Sequence, residues 1–79
     1  MATQEATALA LLLKQAQSCQ EAEKLHHAIA TYFKLVEHFP GTDEAQTARR
    51  ELFNLAQRLE AEGKMHQATH LYNRLAAIG

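Results

Sequence analysis

Apolar residues recur along this chain at three- and four-residue spacing, the signature of helices that bury one face. The clearest stripe runs Leu25, Ala28, Ile29, Tyr32, Leu35, Val36 and Phe39, and Pro40-Gly41 stops it. Thr42 or Asp43 can cap the helix that follows, with Asp43 and Glu44 set against its positive end. That helix carries Ala45, Ala48, Leu52, Leu55, Ala56 and Leu59, and Gly63 can supply the left-handed turn after it. A last stripe follows at Met65, Ala68, Leu71, Tyr72 and Leu75. Ahead of all these lie Leu9, Leu12, Leu13, Ala16 and Cys19. No glycine or proline separates this first stripe from the one starting at Leu25. Local chemistry alone therefore permits one helix from Ala6 to Phe39.

An internal repeat predicts a break there. Shifting the sequence by 40 positions pairs Leu12 with Leu52, Ala16 with Ala56, Gln17 with Gln57 and Lys24 with Lys64. It also pairs His26 with His66, Ala28 with Ala68, Tyr32 with Tyr72 and Leu35 with Leu75. Eight identities in 28 ungapped pairs mark a repeated unit. Glu23 then stands opposite Gly63, so a turn is expected near Ala22 to Lys24. The prediction is an all-α chain of two antiparallel helical hairpins, about residues 6–40 and 43–79, stacked on one another as one domain.

These residues resemble the tetratricopeptide repeat. Its small residue midway along the first helix matches Ala16 and Ala56; its turn glycine matches Gly63. Its alanine and aromatic in the second helix match Ala28 with Tyr32 and Ala68 with Tyr72, and Pro40 matches its closing proline. The resemblance covers the chain from about Leu9 onward and implies a short α-solenoid. The usual unit is 34 residues, and this one is six longer. Phe39-Pro40-Gly41-Thr42 followed by Ala45 and Ala48 is similar to the longer-helix repeats of bacterial envelope and cell-division assembly proteins. Leu35 and Leu75 replace a usual alanine, Cys19 replaces a usual aromatic, and the first turn lacks the glycine. A three-helix domain of the microtubule-interacting-and-trafficking type is an alternative of similar size; the Gly63–Ala68–Tyr72 match speaks for a fourth helix.

Composition narrows the function classes. Apolar residues form 47% of the chain, too many for a disordered segment. A formal net charge of -1 with mixed signs gives no basic field for nucleic acid or for an anionic membrane surface. The longest apolar run, Ala8 to Leu13, falls far short of the roughly 20 residues of a membrane span. Glu5 and no lysine or arginine precede that run, which is poor for a signal peptide. The lone Cys19 admits no internal disulfide, and Ala16-Gln17-Ser18 before it make a poor lipidation signal. A cytoplasmic chain is expected, or an envelope-associated one if an export signal has been removed.

Candidate chemistry is sparse. His66 and His70 are four apart on one helix face, the spacing of two zinc ligands, yet Gln67, Ala68 and Thr69 between them supply no acidic residue. A solvated face is the plainer reading of this weak metal candidate, and mixed polar contacts are the plainer reading of His26-His27. Cys19 lies on an apolar stripe without a partner base and reads as a core residue. Glu21, Glu23, Glu60 and Glu62 read as solvated helix ends. No carboxylate lies on an apolar stripe and no glycine-rich phosphate loop exists. No enzyme activity and no cofactor are expected.

A binding surface for another protein, or for a second copy, is the remaining expectation. The tetratricopeptide resemblance implies a concave groove lined by the first helix of each hairpin. That groove maps to Leu13, Gln17 and Gln20, then Arg50, Phe53, Gln57 and Glu60. An apolar residue followed by glutamine, twice, can hold an extended peptide or a helix. Equally, Leu13 and Phe53 can merely flank the core. Leu13 and Gln17 occupy the places where a carboxylate clamp would begin, so an acidic C-terminal tail is not the expected ligand despite Asn54. The alternative role is a homodimer through the open end of the last helix, at Leu71, Ala77 and Ile78.

Overall fold

A computed structural model describes residues 3–78, with side-chain surroundings from Ala8 onward. The described residues form four helices: α1 (Thr3–Glu21), α2 (Leu25–His38), α3 (Asp43–Ala61) and α4 (Met65–Ile78). Both bounds of α3 lie 40 positions after those of α1, and both bounds of α4 lie 40 after those of α2. The sequence period is thus the structural period, and the fourth helix excludes a three-helix domain.

The break that local chemistry left open falls at Ala22-Glu23-Lys24. The Glu23 N–H bonds the Gln20 carbonyl at 3.1 Å, and the Lys24 N–H bonds the Cys19 carbonyl at 2.8 Å. The same pair recurs from Gly63 to Glu60 at 3.0 Å and from Lys64 to Leu59 at 2.8 Å. This closure satisfies the last carbonyls of a helix and requires a left-handed residue at its corner. Gly63 takes φ 80° there at no steric cost, whereas Glu23 is held at φ 63°. Between the hairpins, α2 ends before Phe39-Pro40-Gly41, and Thr42 caps α3. The Thr42 hydroxyl accepts from the Ala45 N–H at 3.1 Å and donates to the Phe39 carbonyl at 2.8 Å.

Packing follows chain order: α1 lies on α2, α2 on α3 and α3 on α4, while α1 and α3 meet only lightly. The core is apolar throughout, and no polar or charged residue among those described is buried. Ala16, Ala28, Ala56 and Ala68 are buried, which lets the helices within each hairpin approach closely. All six stripe residues of α3 are buried as its pattern predicts. Phe33 is a core residue that the single stripe on α2 omitted; it is 1% exposed, with the Arg74 guanidinium 3.8 Å above its ring. Met65, counted in the α4 stripe, is 52% exposed.

Candidate functional site

The residues mapped to one concave groove fall into separate places. Arg50 and Phe53 border an open groove of about 930 Å³ beside the N-terminal half of α3, together with Val36, Ala45, Arg49 and Ile78. The helical repeat of α3 turns Ala45 and Ala48 inward and leaves Arg49, Arg50 and Phe53 toward solvent. Phe53 is 48% exposed, yet its ring is fixed edge-on against Tyr72 with centroids 5.5 Å apart. The groove therefore presents a held aromatic ring in company with two cations and the apolar side chain of Ile78.

Gln17 and Gln20 line a different, polar recess of about 510 Å³ with Glu21, Glu23, Glu51 and Arg58. Arg58 spans this recess. It donates to Glu23 at 2.7 Å and to Glu62 at 3.2 Å, so it ties the first hairpin's turn to the second's. The hydrogen bond from Arg58 holds the Glu62 carboxyl below its usual range and raises the guanidinium above its own. The carboxylates at the turns are exposed, as expected of helix ends, but Glu23 and Glu62 are engaged by this arginine, and Glu62 also by Lys64 at 3.6 Å. Gln20 accepts a 2.7 Å hydrogen bond from the Tyr32 hydroxyl. Its counterpart Glu60 accepts one from the Tyr72 hydroxyl at 3.2 Å. Burial first, then the charges of Glu51 and Glu21, push the Tyr32 phenol up to about 12. Tyr72 is also raised, by burial first and then by Glu60. These tyrosines pin the second helix of each hairpin to the first.

Of the other mapped residues, Leu13 is half-buried against the core, and Gln57 and Glu60 are exposed without lining either recess. Arg49 and Ile78 belong to the larger groove and were not mapped there. The adjacent cations Arg49-Arg50 were the available signal for the first. Ile78 was assigned to the open end of α4 instead.

The end of α4 is less open than its sequence suggests. Leu71 is 2% exposed and belongs to the core, so it offers nothing to a partner. It turns inward toward Ile29 and Leu59, with which it lines a cleft of about 420 Å³. Ala77 is exposed and Ile78 half-buried. His66 and His70 do share a face and line the same cleft with His26. Among the described residues, no group of three histidine, cysteine or acidic side chains is placed to hold a metal ion. Cys19 is half-buried against the core. No helix of the described residues is long and apolar enough to cross a membrane. No family model, no curated protein and no solved structure matches the chain.

Proposed function

We propose that this chain is a non-enzymatic protein-interaction module of tetratricopeptide type, and that it holds a partner's peptide or helix along α3. The exposed Phe53 ring in the groove with Arg49, Arg50 and Ile78 is the observation that carries the reading. An aromatic side chain held in place by a neighbouring ring gives up little freedom on binding, and such residues with arginine dominate interface energetics. The partner segment sets an apolar side chain between Phe53 and Ile78, and a nearby carboxylate pairs with Arg49 or Arg50. The exact 40-residue spacing of the two hairpins supports the solenoid reading.

The test is selection of peptides from a random display library on the immobilised chain, followed by titration of the selected peptides. Phe53→Ala should weaken binding by roughly thirtyfold, the effect of a loss of about 2 kcal/mol at a hot spot. Arg50→Glu should weaken peptides that carry an acidic residue and spare those that do not. Equal binding by wild type and Phe53→Ala, with helix content unchanged, would remove the groove from the account.

A further inference from the structure

The repeat offers a comparison of covered and uncovered helix faces within one chain. α3 is covered by α4 on one side and by α2 on another, whereas α1 is covered by α2 and touches α3 only lightly. Residues buried in α3 but not at the matching positions of α1 therefore mark the strip that the extra helix covers. They are Ala48, Leu52, Leu55 and Leu59. Their counterparts on α1 are Ala8 and Gln15, which are exposed, and Leu12 and Cys19, which are half-buried. Spacing of four, three and four is the seam of a helix pair. Leu11 borders this strip and is 61% exposed, where α3 carries Glu51. So on the face that its repeat copy buries, α1 leaves Ala8, Leu11 and Gln15 in solvent and Leu12 and Cys19 half covered, and most of that face is apolar.

The same comparison at the other end shows what does not cover it. Tyr32, Phe33 and Val36 are buried in α2, while Tyr72, Asn73 and Ala76 at the matching positions of α4 are not. With asparagine for phenylalanine and alanine for valine, α4 of a neighbouring chain lacks the bulk that α2 brings to α3. Charge narrows the choice further. From Ala8 to Gln20 the only charged residue is Lys14, so a charged partner helix finds almost nothing to pair with. A helix with an apolar strip and little charge along it fits, and α1 of a second copy, with Lys14 alone from Ala8 to Gln20, is such a helix.

We infer that the chain self-associates as a two-fold pair through Ala8, Leu11, Leu12 and Gln15 of α1. The contact is isologous, closes on itself and leaves the Phe53 groove on α3 free. Gln15 stands in the seam where α3 has Leu55, which makes the pair weaker than the joint between α2 and α3. The strip spans only about 16 Å of helix. An interface this short lies at the low end of interface sizes, and the pair should form above about 100 µM.

Sedimentation equilibrium of the whole chain, from about 10 µM to about 1 mM, tests this. The mass should climb from 8.8 kDa toward twice that value. Leu11→Glu should hold it at one chain. Gln15→Leu restores the pattern of α3 and should lower the association midpoint about tenfold. Ala77→Leu, an apolar addition on α4, should leave the midpoint where it is. Circular dichroism reports whether each variant keeps its helices, and Gln15→Leu decides the matter if Leu11→Glu does not fold. A single chain at every concentration would overturn the pairing. So would a midpoint unmoved by Leu11→Glu or Gln15→Leu, or one shifted by Ala77→Leu.

Discussion

Gly63 and Glu23 occupy the same corner of the two hairpins with different residues, and the contrast can be measured. Gly63 adopts φ 80° and Glu23 adopts φ 63°. An L side chain in this region costs about 1 kcal/mol through contact of its Cβ with the following carbonyl. A Cβ placed on Gly63 meets nothing within 4 Å, so neither clash nor new packing alters that figure. Gly63→Ala should therefore lose about 1 kcal/mol, the backbone cost outweighing the stiffer unfolded chain. For a domain of this length that is a fall in Tm of roughly 6 °C. The reverse change, Glu23→Gly, removes a backbone cost of the same kind. It also gives up the ion pair with Arg58 and loosens the unfolded chain, so alone it should melt close to wild type. In an Arg58→Ala background the ion pair is already absent, and Glu23→Gly should then raise the Tm by about 3 °C. Thermal and urea melts followed by circular dichroism read the four variants beside wild type. If Gly63→Ala melts within about 1 °C of wild type, the left-handed corner does not set the cost of the turn and the reasoning fails.

Two further outcomes follow from the side chains. The Tyr32 phenol, pushed up to about 12 from an unfolded value near 10, keeps its proton in the folded state after the unfolded chain has lost it. Its contribution is complete below about pH 10 and is lost as pH rises toward 12, so urea midpoints should fall across that window and fall less in Tyr32→Phe. Thr42→Ala removes the cap of α3 and the bond to Phe39; chemical denaturation should show a loss of about 1 kcal/mol.

How much of this was legible in the sequence depends on whether the buried residues of a helix fall on one stripe. On α3, Ala45 to Leu59 lay on one stripe and all were buried. On α2 a single stripe missed Phe33, because Phe33 lies off that stripe and is covered by Arg74 from α4. The repeat held the missing signal: Phe33 and Val36 stand opposite Asn73 and Ala76, a change that only a second covered face explains. The turn at Glu23 was legible through the repeat and not through local chemistry, since glutamate is an unusual residue for a left-handed corner. The candidate site was less legible. A shared groove requires α1 and α3 to lie side by side, whereas their contact is slight and Arg58 spans the recess between the turns. Leu71 was misplaced because it was read as lying on the free side of the last helix; it instead reaches back toward Ile29 and Leu59.

The chain-order packing of the helices also has kinetic consequences. Each helix rests mainly on its neighbours in sequence, so native contacts close short loops, and a domain built this way should fold on the microsecond-to-millisecond scale. Such an arrangement opens from its ends. α2 and α3 each have a helix on both sides, while α1 and α4 have one main neighbour each. Amide hydrogens of the outer helices should therefore exchange through partial openings, and those of α2 and α3 only when the whole domain comes apart.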